Sequence, residues 1–139
     1  MLPVFLDTCV LLKSYLCDTL LSLAEASVYR PLWSSMVVAE LERNLALAAA
    51  VRGGAEVLVT ENLRDFPPDA VRPYGSEVIS QDTFLLDQFD LRPADVLGAL
   101  RRQASRYRRE PRDVAALLAV LGSPGSGCPD FAQACRQVL

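Results

Sequence analysis

Histidine is absent from the 139 residues. Without an imidazole there is no Ser-His-Asp or Cys-His catalysis and no His-ligated zinc. The four cysteines, Cys9, Cys17, Cys128 and Cys135, form no C-x-x-C pair and fall mainly within helical patterns. They are expected to be buried free thiols in a reducing cytosol, not a disulfide framework. No apolar run approaches the ~20 residues of a membrane span, and no charged-then-apolar leader opens the chain. A soluble, cytoplasmic protein with no membrane partner is the expectation. Positive charge is also short, at a net −3, which argues against bulk attraction to nucleic acid or anionic lipid, although local clustering can override the average.

What the chain does have is apolar mass. The hydrophobic fraction is 51% against 22% charged, a globular composition in a length that fits one domain and a real core. Pro3 to Leu6 is short and wholly apolar, as befits a strand buried on both faces of a parallel sheet. Val10 to Ala26 carries a helical pattern, with a break expected near Cys17-Asp18-Thr19, where Asp18 or Thr19 could cap a second helix. Tyr29 to Trp33 reads as a strand that carries a proline and therefore suits an edge. Ser34-Ser35 offers an N-cap for a helix from Met36 on which Val37, Leu41 and Leu45 share a face. Gly53-Gly54 stops the Ala-rich run that follows. Val57-Leu58-Val59 and Glu77-Val78-Ile79 read as two further strands. This alternation is that of a parallel α/β sheet.

Beyond Ser80 the pattern is helical. Asp82 is expected to cap a helix through Phe89, Pro93 to start another, and Pro111 to start a third with Arg112-Asp113 in its first turn. Ser123 to Gly127 reads as a loop before a final short helix. The expected division is an α/β core over residues 1–80 and a C-terminal helical extension, 81–139, packed on it.

Two apolar strands release polar side chains at their carboxyl ends. Val4-Phe5-Leu6 runs into Asp7-Thr8, and Val57-Leu58-Val59 runs into Thr60-Glu61-Asn62-Leu63-Arg64-Asp65-Phe66. In open α/β sheets ligands bind in the crevice beyond the carboxyl ends of the strands, so a shared cation site is the favoured reading. Asp7 could instead cap the next helix, and Thr60, Asn62 and Asp65 could be turn chemistry alone. Glu40 could be a solvated helix residue or an i, i+3 partner of Arg43, although Val37 and Leu41 put it at the border of an apolar face. In Asp65-Phe66 the ring can anchor the loop while the acid faces the crevice. Mg²⁺ or Mn²⁺ takes oxygen ligands and keeps several waters, so a few carboxylates suffice. Such a site can activate water for phosphodiester cleavage.

Phe5-Leu6-Asp7-Thr8-Cys9-Val10, Ala39-Glu40-Leu41-Glu42-Arg43 and Val59-Thr60-Glu61-Asn62-Leu63-Arg64-Asp65-Phe66-Pro67 resemble, in order, the motifs of PIN-domain proteins. The resemblance covers residues 3 to about 80. It implies a three-layer α/β/α domain with a short parallel sheet, and an Mg²⁺/Mn²⁺-dependent ribonuclease similar to the VapC toxins of toxin–antitoxin pairs. On that match Asp7, Glu40 and Asp65 would bind metal, Asn62 would stand where the family often has an acid and position water or phosphate, and Thr8 and Thr60 would be polar supports. Two departures stand out. The helical Asp that usually precedes the V-L-A-A-A phrase is missing ahead of Ala46-Leu47-Ala48-Ala49-Ala50, and the span from Glu40 to Ala48 is short for the family. A segment absent near 44–46 accounts for both; one continuous helix from Met36 to Arg52 is the plain alternative.

Arg101, Arg102, Arg106, Arg108 and Arg109 cluster with Tyr107. On one helix, 102, 106 and 109 would share a face. A solvated face or a helix C-terminus favoured by positive charge explains them as well as RNA contact does, with Tyr107 stacking a base in the latter case. Docking of an acidic antitoxin segment is the third option. The leading function is a metal-dependent endoribonuclease with an RNA substrate and an antitoxin partner, and a homodimer is compatible with the composition. The rival is a catalytically impaired PIN-like RNA- or protein-binding module. A phosphatase or other metal hydrolase is a weaker third reading.

Overall fold

A computed structural model describes residues 2–32, 56–66 and 77–139. The helix expected after Ser34-Ser35, its Gly53-Gly54 stop, Glu40 and the junction near 44–46 lie outside the described residues. The chain divides into two compact units, Met1–Leu12 with Tyr29–Ser80, and Lys13–Val28 with Gln81–Leu139.

Among the described residues the first unit holds a four-stranded sheet of β1 (Pro3–Leu6), β2 (Arg30–Leu32), β3 (Val57–Val59) and β4 (Glu77–Ile79) in the order β2-β1-β3-β4. Every pairing is parallel, and the class is α/β. β2 is an edge, where the missing N–H of Pro31 is tolerated. β1 and β3 are central and read as unbroken apolar runs because both of their faces are covered; Val4, Leu58 and Val59 are fully buried. Register aligns Leu6 with Val59 and Val59 with Ile79, so three strand ends lie abreast. A single helical turn, α1 (Thr8–Leu11), follows β1.

The second unit is helical: α2 (Ser14–Glu25), α3 (Gln81–Leu91), α4 (Pro93–Ser105), α5 (Val114–Leu121) and α6 (Pro129–Arg136). Leu16, Leu20 and Leu23 of α2, Phe84 and Leu85 of α3, Leu100 of α4, Leu117 and Leu121 of α5, and Phe131 of α6 are fully buried. Their i, i+3, i+4 spacing turns one face of each helix inward. Phe89 and Phe131 meet edge-to-face with ring centroids 6.3 Å apart, locking α3 to α6.

Four expectations are corrected. The break in the first helical run falls at 12–13, not at Cys17-Asp18-Thr19. Thr19 and Asp18 sit inside α2 because their side chains have tertiary work: the Thr19 hydroxyl lies 2.8 Å from Gln103 Oε1, and Asp18 Oδ2 accepts the Tyr107 hydroxyl at 2.5 Å. α4 stops at Ser105, so Arg106, Arg108 and Arg109 do not continue its face. Its apolar periodicity ends with Ala104, and the last turn closes through Arg106 N–H to Gln103 O (3.1 Å) and Tyr107 N–H to Ala104 O (3.3 Å). The next helix starts at Val114, not at Pro111, because Asp113 Oδ1 accepts the Ala116 N–H at 2.8 Å and so acts as N-cap. Finally, Cys128 and Cys135 are buried but Cys9 and Cys17 are only half-buried; all four are free thiols.

Asp82 also departs from expectation. It lies within the first turn of α3, and its carboxylate caps α6 instead. Oδ1 accepts the Phe131 N–H at 2.8 Å and Oδ2 the Asp130 N–H at 3.1 Å. Those are second- and third-position amides that no intrahelical carbonyl can reach, and Cys128 at the cap position supplies no side-chain bond. A residue from a distant helix thus closes α6 and adds charge of the right sign at its N-terminus. Asp82→Ala is expected to cost about 1–2 kcal/mol in urea denaturation, the range of a lost helix cap. Asp82→Asn should recover part of that, and a null effect of the alanine would show that the cap contributes nothing.

Candidate active site

The ladder between β1 and β3 runs one residue past the strands. Asp7 N–H donates to Val59 O at 3.0 Å, and Thr60 N–H to Ile79 O at 3.0 Å. Asp7 and Thr60 therefore emerge side by side at the carboxyl edge. The strand order makes this the switch point: from β1 the chain goes to β2 on one side, and from β3 to β4 on the other. This is where open α/β sheets form ligand crevices.

Asp7 is 8% exposed and Thr60 fully buried. The Thr60 hydroxyl donates to Asp7 Oδ2 at 2.7 Å and accepts the Asn62 N–H at 3.0 Å. Cys9, in α1, adds a third contact, with Sγ 3.5 Å from Asp7 Oδ2 and 3.4 Å from Thr60 Oγ1. The same sulfur accepts the Glu61 N–H at 3.3 Å. All these bonds to the Asp7 carboxylate land on Oδ2, which fixes its plane and orientation. Burial pushes the Cys9 thiol up, despite the lowering contacts of Thr60 and the Glu61 amide, and the charge of Asp7 adds to the rise.

The sequence candidates are distributed as follows. The structure brings Asp7, Thr60 and the Asn62 backbone together. Asp65 ends a 3₁₀ turn over Leu63–Asp65, and Phe66 behind it is buried, anchoring the loop. Glu40 lies outside the described residues, as do the side chains of Thr8 and Asp65. Among the described residues, no three His, Cys, Asp or Glu side chains stand close enough to hold a metal ion. Cys9 was not singled out by the sequence reading; the signal that could have found it is its position two residues after Asp7, on the first turn leaving the strand.

In the second unit, Arg101, Arg102, Arg108 and Arg109 are exposed, and none has an ion-pair partner among the described residues. Arg106 differs, since its Nη2 donates to Ser22 Oγ at 2.8 Å. Tyr107 is built into the fold. Its hydroxyl donates to Asp18 and accepts from Gln103 Nε2 at 2.9 Å, and its ring meets Tyr15 edge-to-face at 5.7 Å. These contacts give Tyr107 a structural role beside the stacking role expected from sequence. Burial, with the Asp18 hydrogen bond next, pushes its phenol up to about 12.

The parallel α/β sheet is consistent with a PIN-like protein. Residues 81–137 match the family model described as VapC50 C-terminal domain. Over 93 residues the chain is 40% identical to the protein named "Putative ribonuclease VapC50" of Mycobacterium tuberculosis (strain ATCC 25618 / H37Rv), an alignment covering 67% of this chain and 53% of that protein. The chain thus spans about half the length of the curated relative it matches. No solved structure matches it. The two matches support a relationship to VapC-like PIN proteins.

Thr60→Val removes the donor to Asp7 and the acceptor of the Asn62 amide, so urea denaturation should report a loss of about 1–3 kcal/mol, the cost of leaving buried polar groups unsatisfied. Thr60→Ser should restore most of it; equal losses for the two variants would mean that packing, not hydrogen bonding, is at stake. For Tyr107 the raised value has a defined sign. The neutral phenol stabilises the fold below the ordinary value of 10.0, and that contribution is lost as pH rises toward about 12. An alkaline titration of phenolate absorbance should therefore show a late component that Tyr107→Phe lacks, and an identical titration in the variant would contradict the assignment.

Proposed function

We propose that the chain is an Mg²⁺- or Mn²⁺-dependent endoribonuclease acting as the toxin of a toxin–antitoxin pair in the cytoplasm. The observation that carries this reading is the buried Asp7 carboxylate, oriented by Thr60 at the switch point of the sheet. The name of the mycobacterial relative supports the substrate class.

The chemistry of the donor set fits a hard cation. Carboxylate oxygens are its preferred ligands, and hydrogen bonds that fix a ligating carboxylate from behind are a usual part of such centres. In this reading Asp7, Glu40 and Asp65 hold the ion. When bound, it would supply Lewis-acid stabilisation of negative charge at the phosphate. The chain's own residues do the rest: Thr60 fixes the plane of Asp7, Asn62 at the head of the 3₁₀ turn positions water or phosphate, and Thr8 stands as a polar support beside the acid. Arg101, Arg102, Arg106 and Arg109 hold the RNA backbone, for which guanidinium geometry suits phosphate oxygens. We assign residues 81–139 to a C-terminal domain appended to the PIN-like segment, a boundary supported by the family match that begins at 81.

A second reading rests on the sequence, in which the helical Asp expected ahead of Ala46-Leu47-Ala48-Ala49-Ala50 is missing. On that reading the chain binds RNA or protein without turnover.

The discriminating experiment is cleavage of a mixed RNA substrate with Mn²⁺, with EDTA, and by Asp7→Asn. The ribonuclease reading expects metal-dependent products that disappear with EDTA and with Asp7→Asn, while the melting temperature of the variant stays close to that of the parent because asparagine retains an acceptor for Thr60. Undiminished cleavage by Asp7→Asn rules out the site. RNA binding that survives EDTA, weakens in Arg101→Ala/Arg102→Ala, and never gives products selects the binding module.

A further inference from the structure

We infer that Cys9 is a positioning residue: its thiol ties the Asp7 carboxylate and the Thr60 hydroxyl to the Glu61 backbone amide, so that a side chain of α1 registers the strand-end acid against the loop after β3. The consequence for cleavage rests on the ribonuclease reading above; the positioning itself does not.

The hydrogen inventory dictates the arrangement. The Thr60 hydroxyl has one hydrogen, and the 2.7 Å contact assigns it to Asp7 Oδ2. Its oxygen is then an acceptor, taken by the Asn62 N–H at 3.0 Å and open to the Cys9 thiol at 3.4 Å. The thiol hydrogen faces two neighbouring acceptors, Thr60 Oγ1 and Asp7 Oδ2, and is shared between them. The sulfur in turn accepts the Glu61 N–H at 3.3 Å. Cys9 therefore donates to the site acid and its support while accepting from the loop that carries Asn62 and Asp65. Each thiol bond is weak. The bonds act together at the one place where two separate segments must be held in fixed relation. A carboxylate that binds a cation or phosphate is useful only if it stays within a few tenths of an ångström of its working place.

This role differs from space filling. Valine matches cysteine in bulk and offers neither donor nor acceptor; serine keeps both in a slightly shorter side chain. Cys9→Val and Cys9→Ser in the full chain separate the two roles by two readouts. The first is steady-state RNA cleavage with Mn²⁺. Cys9→Val is expected to lower kcat about tenfold with KM within about twofold of the parent, and Cys9→Ser to recover most of the loss, in line with the effect of removing a group that orients a metal ligand. The second is amide hydrogen exchange at Glu61 and Asn62 followed by NMR, expected to quicken about tenfold in Cys9→Val and to return in Cys9→Ser. Unchanged exchange in Cys9→Val overturns the positioning, as does serine faring no better than valine. Faster exchange with unchanged kcat overturns its role in cleavage. If the parent itself cleaves no RNA, the ribonuclease reading fails and the exchange measurement alone decides whether Cys9 positions the loop.

Discussion

The register of β1 against β3 is the constraint on which the site depends. Both strands are apolar throughout, so alternation of polar and apolar side chains does not select their alignment. The polar residues at their ends do. With Leu6 opposite Val59, Asp7 meets Thr60 and both buried groups are satisfied. A slip of one residue would set Asp7 beside Val59 or Thr60 beside Leu6. It would also reverse the faces on which the side chains lie. Each buried polar group left without its partner would cost about 1–3 kcal/mol. The pair that forms the candidate site is thus also what pins the sheet, and the site and the fold are not separable at this edge.

The second unit solves a different problem, that of holding short helices together. α5 and α6 are each eight residues long, too short to be stable alone in water. Apolar faces supply the driving force, but direction comes from polar contacts between helices. Asp82 of α3 closes the N-terminus of α6. Thr19, Gln103, Tyr107 and Asp18 form a chain of bonds between α2 and the end of α4. Gln103 is fully buried and its amide bonds Thr19, Tyr107 and the Tyr15 carbonyl. A buried amide with its partners in place disfavours other packings of the same helices, since any sliding would strand it.

Much of this was legible from sequence, and what was not has identifiable causes. β1 and β3 stand at the residues that the apolar runs marked, because a strand covered on both faces has no other composition, and β4 stands at the expected Glu77-Val78-Ile79 although Glu77 is exposed. Pro93 opens α4 as its fixed φ suggests. Reading failed where a side chain's partner was distant. Asp18, Thr19 and Asp82 carry local capping signals, and each was assigned to the nearest helix end; the structure gives them partners from 48 to 89 residues away. The arginine stretch failed for another reason: charge spacing was read as helical periodicity with no apolar face beneath it, and the helix ended where that face ended. At the site, Asp7 and Thr60 were legible as strand-end residues. Cys9 was not, since a cysteine in an apolar run reads as core.

The distribution of charge along this acidic chain is uneven. Between residues 101 and 112 there are six arginines and one acid, Glu110, a local excess of five positive charges; between 81 and 95 there are four aspartates and one arginine, an excess of three negative ones. At physiological ionic strength a charge is felt over about 8 Å, so a phosphate at the arginines does not sense the chain's net −3. Of the four acids in the earlier stretch, Asp82 caps α6 and Asp95 lies 3.9 Å from Arg92 in an exposed pair. Among the described residues, Arg101, Arg102, Arg108 and Arg109 have no ion-pair partner and are exposed. Retaining that self-repulsion in a folded domain costs stability, and binding an anion would relieve it. A purely structural helix end would be satisfied by one or two positive charges. Five in excess over twelve residues make this the most concentrated run of positive charge in the sequence, which is the physical reason to test a polyanionic ligand there.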